Sequence, residues 1–223
     1  MFTLIQNQAV TEGAEKASLS LIDLTIKGGP VMIPIGILSI MAVYIFVEQY
    51  FAIRNAARED KNFMNSLKDY ILNGKIDAAM ALCRSDGSPV AAMLEKGIMR
   101  LGRSLSDVNT AVENVGKQEI AKLERGLPTL ATISGGAPML GFLGTVMGMV
   151  EAFYNMSMAG NNIDITLLSS GIYVAMVTTV AGLIVGIIAY FAYNMLVSRV
   201  EKVVFMLEAR TTEFMDLLNE PVK

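Results

Sequence analysis

The chain has 223 residues and a net charge of −3, and 17% of its residues are charged, against about 25% in ordinary soluble domains. It contains no histidine and a single cysteine, Cys83, which excludes histidine-assisted catalysis, a disulfide within the chain and the common metal clusters. Because no basic patch favours nucleic acid and 53% of the residues are hydrophobic, we expect a membrane protein that is not an enzyme and holds neither metal nor cofactor.

The first predicted elements are an amphipathic segment over residues 1–27 and a membrane-spanning helix over residues 28–53. No acidic or basic side chain occurs in the 20 residues between Lys27 and Glu48, which is enough to cross a hydrocarbon core of about 30 Å. The first residues have no basic start and no continuous apolar core, so we expect no cleavable signal peptide.

Residues 54–126 are predicted to form a separate helical region. The stretch RSDGSP at residues 84–89 favours a break, and Asn73 with Gly74 favours an earlier one. Ser104 or Ser106 is predicted to cap a further helix, which continues toward the second span with no strong stop. Cys83 lies in a helical pattern and fits a small buried side chain better than a reactive thiol.

The second and third spans are predicted over residues 127–154 and 167–197, separated by a loop over residues 155–166. Runs of 25 and 34 residues without charge support them. The tail, residues 198–223, keeps apolar residues at helical spacing, so it should continue the third span as one long helix. The alternative, a soluble protein with three buried helices, leaves too little chain to cover them. The predicted fold class is all-α with three transmembrane helices.

Basic residues are unevenly distributed, and this predicts the orientation. The segment from Arg54 to Arg125 holds 12 of the 18 lysines and arginines, whereas the loop from Asn155 to Thr166 holds none. Positive charge remains on the cytoplasmic side of a membrane. We therefore expect the amino terminus to face out, into the periplasm, and the carboxyl terminus to face the cytoplasm, with the second and third helices both long and extending into the cytoplasm.

The second span, APMLGFLGTVMGMVEAF, carries small residues along one face although glycine costs about 1 kcal/mol against alanine in a helix. The third span repeats the pattern. In lipid, helices associate through close backbone packing, so small faces predict contacts between helices. The residues assigned to packing are Pro138, Gly141, Gly144, Gly148, Gly182 and Gly186.

Three long stretches together resemble a known family. LPTLATISGGAPMLGFLGTVMGMVEAF and GIYVAMVTTVAGLIVGIIAYFAYN are similar to the paired signatures of the MotA/TolQ/ExbB proton-channel family, nearest its ExbB and TolQ branch. SLIDLTIKGGPVMIPIGILSIMAVYIFVEQYFAIR resembles the first membrane segment of that branch. The resemblance implies a homo-oligomeric, five-fold ring in the bacterial inner membrane around two ExbD- or TolR-like partner helices.

The resemblance also assigns Thr145 and Thr179 to the lining of the pore. Where the family carries glutamate in a GIAEAL-like motif, this chain has Val174. Hydroxyls such as those of Thr145, Thr178 and Thr179 order water or coordinate an ion but do not titrate. The carboxylate of a proton relay must then come from the partner, as an aspartate. The other interpretation is that each threonine bonds a carbonyl of its own preceding turn.

Two hypotheses of function remain open at this point. In one, the chain is the ring subunit of a motor driven by the proton motive force, which energises outer-membrane transport or another envelope process through a TonB- or TolA-like arm. In the other, it is a membrane scaffold or a small transporter without ion coupling. The sequence does not distinguish proton from sodium or name the process energised.

Overall fold

The computed structural model of the chain describes residues 28–58, 62–158 and 165–219, and every regular element within these ranges is an α-helix. The helices are α1 (Met32–Ala56), α2 (Phe63–Leu72), α3 (Ile76–Asp86), α4 (Pro89–Ile98), α5 (Leu105–Glu124), α6 (Leu127–Met158) and α7 (Ile165–Asn219). Three helical stretches are long and apolar enough to cross a membrane: α1, α5 with α6, and α7. The predicted segment over residues 1–27 and most of the predicted loop over residues 155–166 lie outside the described residues.

The longest element is α7, a single helix of 55 residues. It begins in the third charge-free run and continues through the charged tail, as the spacing of apolar residues in that tail predicts. At 1.5 Å per residue, a helix of this length extends about 80 Å, more than twice the hydrocarbon thickness of a bilayer. A large part of α7 therefore extends beyond any membrane that it crosses.

Turn chemistry defines the ends of the short helices. Gly74 and Gly87 adopt left-handed conformations, with φ of 69° and 65°, which glycine reaches without a steric cost. The hydroxyl of Ser88 caps α4 by accepting from the N–H of Ala91 at 3.2 Å. Ser104 caps α5 in the same way, accepting from the N–H of Asp107 at 3.2 Å. These breaks occur where the sequence predicts them.

The junction of α5 and α6 differs from the expectation of no strong stop, because α5 ends at Glu124 and α6 begins at Leu127. Pro128 lacks an N–H, so the carbonyl of Glu124 loses its usual helical donor. The side chain of Gln49, which lies on α1, is buried at this junction. With its amide oriented to match its neighbours, it donates to the Leu123 carbonyl at 3.0 Å and accepts from the Gly126 N–H at 3.3 Å. A long-range side chain thus stabilises the interruption.

The chain divides into two compact units. Of the described residues, the first unit comprises 28–36, 138–158 and 165–183, and the second comprises 37–58, 62–137 and 184–219. The second unit has a continuous apolar core that includes Leu67, Val112, Leu130, Leu196 and Phe214, all inaccessible to solvent. Burial of such side chains is the main favourable term in its folding.

One glycine permits the closest packing within that core. A Cβ added at Gly97 would lie 2.6 Å from Cε1 of Phe214 and 2.8 Å from Cγ2 of Val112. A hydrogen atom at this position lets α4 approach α5 and α7. Cys83 lies in the same core, only 2% exposed, and its burial together with nearby Glu95 and Asp86 raises the pKa of the thiol to about 12. This fits a buried side chain rather than a reactive thiol.

Candidate functional site

The candidate site lies in the first unit, where residues 138–158 of α6 pack against residues 165–183 of α7. A Cβ added at Gly141 would lie 2.9 Å from the Thr178 carbonyl oxygen and 3.0 Å from the Cα of Thr179. One added at Gly144 would lie 2.8 Å from the Cβ of Thr178. Backbone of one helix thus meets backbone and threonine of the other, which glycine permits and larger residues do not.

The close contact continues along the pair of helices. A Cβ at Gly148 would lie 3.0 Å from the Cβ of Ala175, and one at Gly171 would lie 2.6 Å from the Cβ of Ala152. The side chains on the outer face of α6 are large and apolar, and many are highly exposed, such as Met139 at 73% and Phe142 at 68%. The small face is therefore the packed face, and the large apolar face is left for lipid or another protein.

Hydroxyl groups meet at the centre of this contact. The Thr179 hydroxyl donates across the helix pair to the Gly141 carbonyl at 2.9 Å. The hydroxyl oxygens of Thr145 and Thr179 lie 2.5 Å apart, and the Thr145 hydroxyl also lies 3.2 Å from the Gly141 carbonyl of its own preceding turn. Both threonines are partly buried. We call Thr145, Thr179 and the Gly141 carbonyl the hydroxyl site.

The protons of the hydroxyl site admit two arrangements. Each threonine supplies one proton and can accept at its oxygen, so two protons serve three short contacts. In one arrangement Thr179 donates to Gly141 and Thr145 donates to Thr179. In the other Thr145 donates to Gly141 and Thr179 donates to Thr145. Both satisfy the carbonyl, so the direction of the hydrogen-bonded pair can reverse without breaking the contact between helices.

Thr178 behaves differently from Thr179. It is 1% exposed, and its hydroxyl donates to the Ala175 carbonyl of its own helix at 2.7 Å, with the Gly141 carbonyl farther away at 3.4 Å. Its side chain also fills the space opposite Gly144. Thr178 thus has the own-helix bond that threonine commonly forms in apolar helices, as Thr145 also can, whereas Thr179 is directed across the contact.

Titratable groups are sparse around the hydroxyl site. Glu151 is the one carboxylate among the described residues of the first unit, and it is exposed. Val174 is half-buried. No cluster of histidine, cysteine, aspartate or glutamate in the described ranges could hold a metal ion. The hydroxyl site by itself therefore offers hydrogen bonding but no group that changes charge at physiological pH.

The remaining packing residues have different locations. The Cα of Gly182 lies 3.3 Å from the Cβ position at Gly141, so Gly182 belongs to the same contact. Pro138 lies within α6, and its missing N–H leaves the carbonyl of Ser134 without a helical donor. Gly186 is buried but belongs to the second unit and lies outside the hydroxyl site.

Residue patterns missed two contributors. The Gly141 carbonyl is an acceptor as well as a point of close approach, and no side-chain motif signals a backbone acceptor. The nearest signal is the four-residue spacing from Gly141 to Thr145. Gln49 was also missed, since a glutamine at the end of a predicted span gives no indication that it will bridge to Leu123 and Gly126.

Three helical stretches long and apolar enough to cross a membrane, with threonine hydroxyls at the contact between two of them, are features of a membrane protein. Comparison with known proteins agrees. Residues 85–209, more than half of the chain, match the model of the MotA/TolQ/ExbB proton channel family, and the chain belongs to that family.

Individual relatives fall in the ExbB and TolQ branch. The "Putative biopolymer transport protein ExbB-like 1" of Synechocystis sp. is 32% identical over 181 residues, which cover 80% of this chain and 71% of the relative. An ExbB homolog of Methanothermobacter thermautotrophicus is 38% identical over 114 residues, 51% of this chain and 40% of the relative. The Tol-Pal system protein TolQ of Pseudomonas aeruginosa is 26% identical over 184 residues, 75% and 79% of the two chains.

Proposed function

We propose that this chain is the ring subunit of an ion-driven motor in the bacterial inner membrane. Five copies would form the ring, and two single-span partner chains of the ExbD or TolR kind would lie within it. Ion flow down the membrane gradient, worth about 2.3 kcal/mol per charge per 100 mV, would move the partner helices. A TonB- or TolA-like protein would deliver the work to outer-membrane transport or another envelope process.

The observation that carries this proposal is the reversible hydroxyl pair of Thr145 and Thr179. When one hydroxyl accepts a proton, the other hydroxyl can release its own proton, which leaves the pair in the second arrangement. Rotation of the two hydroxyls then restores the first arrangement. Such a pair relays protons between water and a titrating acid without itself becoming charged for long. The two oxygens lie within hydrogen-bond distance of each other, at 2.5 Å, which supports this role.

The titrating acid must then come from another chain. Val174 supplies no carboxylate, and Glu151 is exposed at the far end of α6. A buried charge in a membrane is costly unless it is paired or hydrated. An aspartate on the partner's membrane helix, opposite Thr145 and Thr179, would supply the charge change, and the threonine hydroxyls would stabilise both of its protonation states.

The proposed topology follows the distribution of basic residues. Residues 28–53, 127–154 and 167–197 would span the membrane, with residues 1–27 and 155–166 in the periplasm. Residues 54–126 and 198–223 would lie in the cytoplasm. The exposed apolar faces of α1 and α6 and the basic content between Arg54 and Arg125 support this assignment.

One observation favours the second candidate, a membrane scaffold or small transporter without ion coupling. Thr145 and Thr178 both have an acceptor in their own helix, at 3.2 and 2.7 Å. If Thr179 also served only to join α6 to α7, the hydroxyls would stabilise the helix pair and carry no ions. The two candidates therefore predict different results for a variant that lacks one hydroxyl but still assembles. The motor candidate predicts loss of ion transport, and the scaffold candidate predicts no such loss.

The test replaces Thr145 or Thr179 with valine, which matches threonine in shape but forms no hydrogen bond. The complete complex is purified with its native partner and reconstituted in vesicles with a pH-sensitive dye inside. In either valine variant, loss of one hydrogen bond to a developing charge should lower the rate of proton entry into the vesicles on the order of tenfold or more. Native mass spectrometry should find unchanged stoichiometry and partner content.

Thr132→Val is the matched control. The Thr132 hydroxyl lies on the same helix, is exposed and bonds only the Pro128 carbonyl of its own turn at 2.9 Å. This variant should conduct like the unaltered protein. If Thr145→Val and Thr179→Val assemble normally and also conduct fully, the ion-path assignment fails and the scaffold candidate is favoured.

A further inference from the structure

A narrow apolar groove runs between α1 and α7 within the second unit. Its volume is about 500 Å³, and almost all of its lining is aliphatic or aromatic. The polar exception is Ser39, which lies at one end on α1. The α1 side of the groove runs from Ser39 to Phe46, and the α7 side runs from Val185 to Met195.

A cation marks the opposite end of the groove. Tyr50 follows Phe46 by one helical turn on α1, and Arg199 follows Met195 by one turn on α7. The Arg199 guanidinium stacks on the Tyr50 ring, 4.5 Å from its centroid. Contact with the ring face uses no N–H donor of the guanidinium in a hydrogen bond, so these donors are left for another acceptor.

Arg199 has no carboxylate partner among the residues that the structure describes. Within residues 28–58, 62–158 and 165–219 no carboxylate forms an ion pair with it. It is half-buried and is the first charged residue after the 34-residue run of α7. A guanidinium at this position, at the boundary of the apolar span, favours an anionic oxygen from outside the protein.

The length of the groove matches one leaflet of a bilayer. From Ser39 to Tyr50 the helix rises about 16 Å at 1.5 Å per residue, close to half of a hydrocarbon core of about 30 Å. The groove therefore combines an apolar trough about as long as a lipid chain with a single guanidinium where the headgroup of that leaflet would lie.

We propose that this groove is a binding site for one anionic phospholipid, with an acyl chain between α1 and α7 and the phosphate on Arg199. A basic side chain between membrane helices is a known recognition element for anionic headgroups. A helix of another chain would cover the groove with apolar residues but would leave Arg199 unpaired at its end. The proposal goes beyond the motor function and does not depend on ion flow.

The test uses the full chain in vesicles of equal amounts of phosphatidylglycerol and phosphatidylcholine. A small fraction of the phosphatidylglycerol carries a photoreactive acyl chain. Adducts are mapped by peptide mass spectrometry, and bound lipid is counted by native mass spectrometry after mild extraction. We expect adducts concentrated on residues 39–46 and 185–195, and retained lipid enriched in phosphatidylglycerol.

Five variants separate headgroup binding from acyl-chain binding. Arg199→Gln should lower phosphatidylglycerol enrichment about five-fold, the effect of one basic residue near a membrane surface, whereas Arg199→Lys should preserve most of it. Lys202→Gln, an exposed charge three residues away, is the matched control and should leave enrichment unchanged. Ala192→Trp should fill the groove and remove its adducts, while Ile40→Trp, 73% exposed and outside the groove, should not.

Three results would overturn the proposal. Adducts spread equally over exposed residues such as Phe142 would show only general lipid contact. Equal phosphatidylglycerol enrichment in Arg199→Gln and Lys202→Gln would show that Arg199 makes no specific contact with the headgroup. A change of oligomeric mass in Ala192→Trp, with lipid adducts unchanged, would assign the groove to a protein partner. Since none of these measurements uses ion flux, failure here is distinct from failure of the proposed motor function.

Discussion

Adjacent residues Thr178 and Thr179 have different roles because their side chains leave the helix about 100° apart. The Thr178 hydroxyl bonds the Ala175 carbonyl at 2.7 Å and is buried opposite Gly144, while the Thr179 hydroxyl reaches Gly141 on the other helix at 2.9 Å. Only Thr179 meets a second hydroxyl, that of Thr145. At the residue scale, the direction in which each threonine side chain leaves its helix, and not the residue type, thus determines which hydroxyls form the pair.

Cys83 allows a prediction from its pKa. Burial, and then the charges of Glu95 and Asp86, raise that pKa from 9.0 to about 12, which lowers the thiolate fraction at pH 8 about a thousandfold. We expect iodoacetamide at pH 8 to leave the folded protein unmodified and to modify the protein unfolded in denaturant. Mass spectrometry over time provides the measurement. Labelling at equal rates in both states would contradict the buried assignment.

The same shift has a consequence for stability. Because the folded-state pKa is the higher one, the folded protein keeps a proton that the unfolded chain releases. The contribution of Cys83 is fully present below pH 9 and is lost as the pH rises from 9 toward 12. Thermal unfolding of Cys83→Ala should lack this part of the alkaline destabilisation, whereas other groups that titrate there will contribute in both proteins.

At the scale of elements, the small faces of α6 and α7 are used within one chain. The glycine pattern predicts contacts between helices. In the first unit Gly144 lies against Thr178, and Gly141 lies against Gly182 of the same chain. The close approach therefore forms the α6–α7 pair itself, and any effect on a ring would be indirect.

Gly144→Leu tests this contact. A leucine side chain cannot fit where even a Cβ would lie 2.8 Å from the Cβ of Thr178, so we expect destabilisation of about 1–3 kcal/mol or more. Circular dichroism during heating of the detergent-solubilised protein measures the midpoint. Native mass spectrometry on the same samples reports any loss of oligomer.

The matched control is Val146→Leu on the same helix, where the side chain is 39% exposed. This change also introduces a leucine, but outside the contact, and should leave the midpoint within error. If Gly144→Leu melted like the control yet failed to assemble, the small face would act between subunits and the assignment to a single chain would be wrong.

At the scale of the whole molecule, topology connects the site to any function. The charge asymmetry predicts that the end of α6 faces the periplasm and that the turn between α2 and α3 faces the cytoplasm. Ser157 and Lys75 are exposed positions in these two regions. A single cysteine at either position reports its side of the membrane.

We expect Ser157→Cys to react in intact cells with a membrane-impermeant maleimide, and Lys75→Cys to react only after the membrane is permeabilised. Background from Cys83 should be negligible, and the unaltered protein serves as the control for it. The reverse labelling pattern would show that the proposed orientation is wrong. The family assignment would still stand, because it rests on sequence similarity alone.

The sequence by itself determined the helical class and the number of candidate spans, because long charge-free runs permit little else in lipid. It also located the breaks at Gly74, Gly87 and Ser104, since turn and capping residues act locally. Periodicity placed Gly141, Thr145 and Gly148 on one face of α6. These properties depend on residues close in sequence or on composition, so no tertiary contact is needed to obtain them.

Only the tertiary structure decided what that face meets. Thr145 and Thr179 are 34 residues apart, and the register of α6 against α7 determines whether their oxygens touch. The same register directs the Thr179 hydroxyl to the other helix while the Thr178 hydroxyl bonds its own helix. It also makes the Gly141 carbonyl an acceptor that Thr145 and Thr179 share. Gln49 at the α5–α6 junction and Arg199 on Tyr50 are likewise long-range pairs. Contacts of this kind depend on how helices pack in three dimensions, which periodicity along one helix does not encode.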